Sequence, residues 1–282
     1  MKRNVIRRRL AEPKSNADSD LDPRDGGVQS VDRALSILET LAEDDEGYRL
    51  SDLAVRTGLS TSTVHRLLAT LEKRRFVQFD RTVSKWHVGA QSFSVGATFA
   101  RRRNFTAQAM PYLRKLRDQT RETANLAVVD DESIIVLTRI ESREIMRSLT
   151  KVGGRVAMVA SGVGKAVLAT YSDEDVNAII RRQGMPRLTE KSIVRPGELF
   201  KELQTIRRQG YAIDDEEARM GLRCVAAVIY NDCSEPLAAI SVSGMTSRMT
   251  DDRLPALGIA VREVAAELTV ALGGVMPEAK PS

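Results

Sequence analysis

Residues 48–72 read Tyr-Arg-Leu-Ser-Asp-Leu-Ala-Val-Arg-Thr-Gly-Leu-Ser-Thr-Ser-Thr-Val-His-Arg-Leu-Leu-Ala-Thr-Leu-Glu, and this stretch limits the fold more tightly than any other. Ser51 is placed to cap a short helix that turns Leu53 and Ala54 inward. Gly58 can take the positive φ that stops such a helix. Leu59 is the apolar plug of the turn. Ser60 then caps a second helix with Val64, Leu67, Leu68 and Leu71 on one face. Two short helices hinged on a glycine form a helix-turn-helix.

The flanking segments extend this unit. A preceding helix is predicted from near Ser30, with Val31, Ala34, Leu35, Leu38 and Leu41 at helical spacing, ending at Asp44–Gly47. After the second helix come Lys73, Arg74 and Arg75, then Phe76–Phe79, a turn at Asp80–Ser84, and Lys85–Val88. That order predicts a small hairpin, or wing, with Arg81 and Lys85 at or beside its tip. With the leucines turned inward, Thr61, Ser62, His65 and Arg66 face outward near the helix start, where recognition helices meet base edges. Arginine can bind guanine through two hydrogen bonds, and the wing cations suit phosphates. The candidate DNA-contacting set is Ser60, Thr61, Ser62, Thr63, His65, Arg66, Lys73, Arg81 and Lys85. Charge supports it. Residues 1–103 hold 19 basic and 14 acidic residues, whereas 104–282 hold 24 of each, so the whole excess of +5 sits in the first third. Such asymmetry points to a polyanion. A helical hairpin also occurs in enzymes. The glycine turn, the basic wing and the charge bias together favour duplex DNA. Aromatics are only 4% of the chain, too few to stack single-stranded bases.

A chain of 282 residues, 42% hydrophobic and 29% charged, suits two folded domains. The expected class is α+β. Residues 1–27 read as a basic tail, 28–90 as the winged helix-turn-helix, and 91–108 as a linker helix, interrupted near Asn104 and restarting around Pro111. Residues 109–275 read as a mixed α/β effector-binding domain and 276–282 as a second tail. Within that domain a strand pair is expected over Ala124–Ile140, with a helix at Ala166–Thr170. Further helices are expected from Ser172, over Glu198–Gln209 and over Asp251–Leu272. Strands are expected near Tyr211–Ile213, Cys224–Tyr230 and Leu237–Val242, in a mixed sheet.

Other chemistry is sparse. Two cysteines cannot make a disulfide framework or a four-cysteine zinc site, and two histidines argue against a His-rich catalytic metal site, so no metal and no cofactor is expected. No apolar run reaches membrane-spanning length, and the basic N-terminus lacks an apolar region behind it; a reducing cytoplasm and no membrane partner fit. Ser161-Gly-Val-Gly-Lys165 resembles a phosphate loop, but Val159 and Ala166 occupy positions that a Walker loop fills with Gly and Ser or Thr. Two readings remain: anion capture by backbone N–H groups where a Gly-rich turn enters a helix, or tight backbone packing. Ser241 and Ser243 share one face of a strand end. Asp214–Glu217 reads as a solvated acidic loop from which one acid could orient a ligand hydroxyl. A small-acid-converting enzyme using Cys224 or Ser161 is the alternative; it lacks a base, since both histidines lie in the first domain.

The motifs Val28–Glu39, the helix-turn-helix, Gly153–Ala169, and Gly210–Glu217 through Gly221–Ala227 together resemble the isocitrate lyase regulator (IclR-type) transcription factors, over about residues 28–275. The resemblance implies a winged helix, a linker helix used in dimerisation, a GAF-like effector domain, and dimers that pair as tetramers on operator DNA. Members bind small carboxylates or aromatic acids. The chain is similar to glyoxylate-sensing members, such as the allantoin-pathway repressor and the β-hydroxyaspartate-cycle regulator. By that likeness the effector-binding residues are Ser161, Gly162, Val163, Asp214, Cys224, Ser241 and Ser243. It departs from many members at Ala157 and Val159, where they carry Pro and His.

Overall fold

The computed structural model describes residues 28–102, 105–130, 133–142 and 151–277. The basic arm expected over 1–27 and the last residues of the second tail lie outside them. The chain divides into two units near Ala97.

The first unit holds α1 (Gln29–Ala42), α2 (Leu50–Thr57), α3 (Thr61–Lys73), β1 (Val77–Asp80) and β2 (Lys85–Val88). Ile37, Leu41, Leu53, Val64, Leu68, Val77 and Trp86 form its buried core, with Leu67 and Leu71 partly buried beside it. Gly58 ends α2 at φ 66°, as the turn requires. The Ser60 hydroxyl caps α3 by accepting the Thr63 N–H at 3.3 Å. Two expectations change here. Ser51 lies inside α2 rather than at its cap; the N-cap is Arg49, whose backbone N–H goes to the Asp52 carboxylate at 3.4 Å. On α1 the buried face is Ile37, Thr40 and Leu41, while Val31 and Leu35 are about half exposed. The small core covers only the C-terminal turns of α1. The wing pairs Val77 with Val88 through Asp80 with Lys85, antiparallel.

Helix α4 (Ala90–Arg102) leads to α5 (Phe105–Thr120). Pro111 does not open a helix, as the sequence suggested, but lies inside α5. Ala109, Leu113 and Leu116 are buried on either side of it. Packing of that stripe holds the helix through the proline, whose own ring faces solvent.

The second unit is built on a six-stranded sheet of β3 (Thr123–Asp130), β4 (Ser133–Ile140), β5 (Arg155–Ala157), β6 (Ala212–Asp215), β7 (Leu222–Tyr230) and β8 (Pro236–Met245). Its order is β5-β4-β3-β8-β7-β6. Every described pairing is antiparallel. The α+β class holds, but the sheet is not mixed. Hairpins β3–β4 and β7–β8 reverse the chain tightly, and β8 returns beside β3, so no parallel neighbours arise. Helices α5 and α9 (Leu254–Ala271) pack on one face against Leu126, Val225, Ile240 and Val242. Helices α6 (Gly162–Leu168), α7 (Asp173–Gln183) and α8 (Pro196–Gln209) pack with Ala127, Ala226, Val228 and Ala239 on the other. Consecutive strand residues thus feed opposite cores, which is why these strands read as apolar runs. Helix α6 begins earlier than expected, at Gly162, and all seven of its residues are buried. At the start of β3, the buried carboxylate of Glu122 is held by the Arg248 guanidinium at 2.7–3.2 Å.

Candidate functional site

The first unit carries an exposed polar helix face beside a basic wing. Thr61, Ser62, His65, Arg66 and Lys73 of α3 are exposed. Thr63 is half-buried. Its hydroxyl, like that of Ser62, lies within hydrogen-bond distance of the Ser60 hydroxyl, at 2.8 and 3.0 Å. Ser60 and Thr63 are therefore engaged at the cap, and the exposed Ser62 hydroxyl shares in it, which leaves Thr61, His65 and Arg66 as the outward donors. Arg81 is exposed in the wing turn and Lys85 is half-exposed on β2. The Asp80 carboxylate fastens that turn by accepting the Thr82 N–H at 2.7 Å, which holds its pKa below the ordinary value. An open cleft of about 1220 Å³ separates α3 from the wing, lined by Thr61, His65, Arg81 and Lys85. Arg49 and Ser51 of α2 also line it; sequence reasoning did not place them there. A helix about 10–12 Å across fits a major groove about 12 Å wide.

The second unit carries a polar row across four strands. Asp214 of β6 pairs in register with Cys224 of β7, and Cys224 with Ser243 of β8. Ser241 and Ser243 both accept from the Asn125 side-chain amide of β3, at 3.3 and 3.2 Å. Because they accept there, each hydroxyl keeps its own hydrogen to donate. Gly162, opening α6, lies over this row: a β-carbon on it would sit 3.2 Å from the Cys224 carbonyl oxygen and 3.5 Å from the Asp214 β-carbon. Five of the seven effector residues named from sequence, Gly162, Asp214, Cys224, Ser241 and Ser243, thus meet through side chains, strand register or close backbone approach. The Ser161 hydroxyl donates to the Ala157 carbonyl at 2.7 Å and accepts the Gly164 N–H at 3.0 Å, so it serves as the cap of α6. Val163 is a core side chain and offers only its backbone. Gly164 presses on the Met158 backbone, so tight packing explains that glycine.

The acidic run is not a solvated loop. Asp214 and Glu217 are buried. The Asp214 carboxylate accepts the Glu217 N–H at 2.8 Å and the Ala218 N–H at 3.3 Å. Burial nonetheless raises its pKa, outweighing those bonds and the Lys165 charge. Lys165 is fully buried, with its ammonium on Glu217 and on Glu202 at 3.3 Å. Burial raises Glu217 as well, against the pull of Lys165. Asp215 and Glu216 instead pair with Lys191 and Arg223 at the rim. Burial, then the charge of Asp214, pushes the Cys224 thiol up to about 11, which leaves it a neutral donor. Asn125, Lys165 and Glu217 escaped sequence reasoning. A lysine within the apolar run Val159–Leu168 was the one signal available.

Residues 30–81 match the IclR helix-turn-helix domain and residues 97–270 match the bacterial transcriptional regulator IclR C-terminal domain. The acetate operon repressor of Salmonella typhimurium is 43% identical over 254 residues, covering 89% of this chain and 93% of the repressor. The HTH-type transcriptional regulator BhcR of Paracoccus denitrificans is 41% identical over 244 residues, covering 86% of this chain and 87% of that one. A solved IclR-type regulator from Alicyclobacillus acidocaldarius superposes with a TM-score of 0.74 at 25% identity, covering 88% of this chain and 100% of its own. These relatives regulate transcription and are not enzymes, which removes the small-acid-converting alternative. The helix-turn-helix of α2 and α3, the sheet domain that follows it in the chain and these matches agree: the chain belongs to the IclR family of DNA-binding transcriptional regulators.

Proposed function

We propose that this regulator reads operator DNA with α3 and the wing, in the cytoplasm, and that a small carboxylate bound at the polar row of the second unit sets its operator affinity. Glyoxylate is the favoured effector. The observation that carries this reading is the row itself. Two serine hydroxyls freed by Asn125, a neutral thiol and the Asp214 carboxylate meet under the glycine that opens α6. The serine hydroxyls and the first N–H groups of α6 donate to a carboxylate. Asp214 accepts from a hydroxyl of the hydrated aldehyde. Arg66 and His65 read bases, while Lys73, Arg81 and Lys85 hold phosphates. The chain acts as a dimer and as paired dimers. The effector binds one dimer geometry more tightly than another and so shifts their populations.

A thermal-shift screen of small carboxylates, followed by gel-shift titration on the chain's own upstream region, tests the reading. Glyoxylate is expected to raise the melting temperature and to change operator affinity in the same concentration range. A melting temperature that no carboxylate moves removes the effector role. Protein–DNA affinity that does not vary with salt removes the phosphate contacts.

A further inference from the structure

We propose that the effector site takes up its anion together with a proton, and that Glu217 holds that proton. The proposal rests on the effector reading above and adds a charge requirement to it. Glu217 faces Lys165 from α6, Glu202 from α8 and Asp214 from β6. Asp214 faces Lys165, its neighbour Asp215 and the thiol of Cys224 from β7. Lys191 and Arg223 are engaged at the rim by Asp215, Glu216 and Asp251. Glu217, Glu202 and Asp214 therefore share the buried ammonium of Lys165.

The Glu217 carboxylate is more than nine-tenths buried. One oxygen rests on Lys165. The other, Oε2, has no hydrogen-bond partner, a condition shared among the described buried side chains only by the Thr106 hydroxyl. Leaving an ionised buried oxygen unpaired costs more than leaving a neutral acid unpaired. The Glu217 N–H is donated to Asp214, so the two acids belong to one electrostatic unit. A ligand carboxylate seated against Gly162, Cys224 and the serines adds a further negative charge beside Asp214, where little water screens it. A proton on Glu217 restores the balance and leaves Lys165 to face Asp214 and the ligand. Burial already raises the proton affinity of both acids.

Isothermal titration calorimetry of the full chain with glyoxylate, in buffers of different ionisation enthalpy, counts the protons. Wild type is expected to take up about 0.5–1 proton, with affinity falling by up to about tenfold per pH unit as pH rises. Glu217→Gln is expected to take up almost none and to lose the pH dependence, while Asp215→Asn keeps both. Glyoxylate binding by wild type without proton uptake overturns the proposal and spares the effector site. Proton uptake that persists in Glu217→Gln overturns the assignment to Glu217. A chain that neither releases heat nor gains melting temperature with glyoxylate loses the effector reading and this one together. If Glu217→Gln does not fold, Glu217→Asp replaces it. That variant is expected to keep the uptake with its midpoint moved, and an unmoved midpoint counts against Glu217.

Discussion

Gly162 and Cys224 approach so closely that a methyl group on the glycine would lie 3.2 Å from the cysteine carbonyl oxygen and 3.3 Å from its sulfur. The start of α6 is thereby held in direct contact with β7 beside the polar row. Gly162→Ala requires Cys224 to give by only a few tenths of an ångström, so the fold is expected to survive. Glyoxylate affinity is expected to fall about tenfold, equivalent to about 1.4 kcal/mol. Gly164→Ala is different, because its β-carbon would overlap the Met158 backbone. It is expected to cost about 1–3 kcal/mol in urea unfolding. Equal effects of the two changes on stability would contradict this division.

On the DNA side, Arg66 and Lys85 are expected to fail differently. Arg66→Ala is expected to lose about 1–3 kcal/mol of discrimination between operator and scrambled DNA. Lys85→Ala is expected to weaken both sequences alike and to lower the salt slope by about 1. Gel-shift titrations at several salt concentrations separate the two outcomes. An Arg66→Ala variant with full operator discrimination would remove that side chain from base readout.

The buried acids make the second unit sensitive to pH in a definite direction. Burial raises Asp214 and Glu217 above the ordinary carboxylate range. A carboxyl with a higher pKa in the folded than the unfolded chain keeps its proton longer when folded. Its contribution is complete below the unfolded value and is lost as pH rises through the folded one. Asp215 and Glu216, held low, act in the opposite sense. The difference between wild type and Glu217→Gln isolates Glu217. Ligand-free wild type is expected to lose melting temperature relative to that variant as pH rises from the ordinary carboxylate range. Parallel melting curves across that window would contradict it.

Glu122 and Arg248 join the start of β3 to the segment after β8 through a carboxylate that is 1% exposed. Glu122→Ala removes the buried carboxylate that the Arg248 and Arg253 guanidinium groups converge on. The expected loss is about 3 kcal/mol in urea unfolding, with an unchanged denaturant slope. A loss below about 1 kcal/mol would mean that Arg248 finds another partner.

The helix-turn-helix was legible because its signals are local: Gly58, Ser60 and the leucine spacing all lie within one short stretch. Its errors were local competitions, as where Asp52 rather than Ser51 secured the start of α2. The members of the polar row were visible singly in the sequence, but their meeting was legible only through resemblance. Asn125 bonds Ser241 across 116 positions, and Lys165 meets Glu217 across 52. No periodicity reports such partners. The acidic run looked solvated because composition is blind to a lysine buried elsewhere. Pro111 misled because a proline's usual place at a helix start gave way to the packing of Ala109, Leu113 and Leu116.

Asp214, Cys224 and Ser243 are laid down one residue per strand by the hydrogen-bond ladder, and Asn125, the register partner of Ser241, reaches both serines through its side-chain amide. Each position can therefore change its side chain alone while the strand register that places the others stays the same. An inserted residue in any of those strands has the opposite effect, since it turns that strand's contribution to the far side of the sheet and breaks the row in one event.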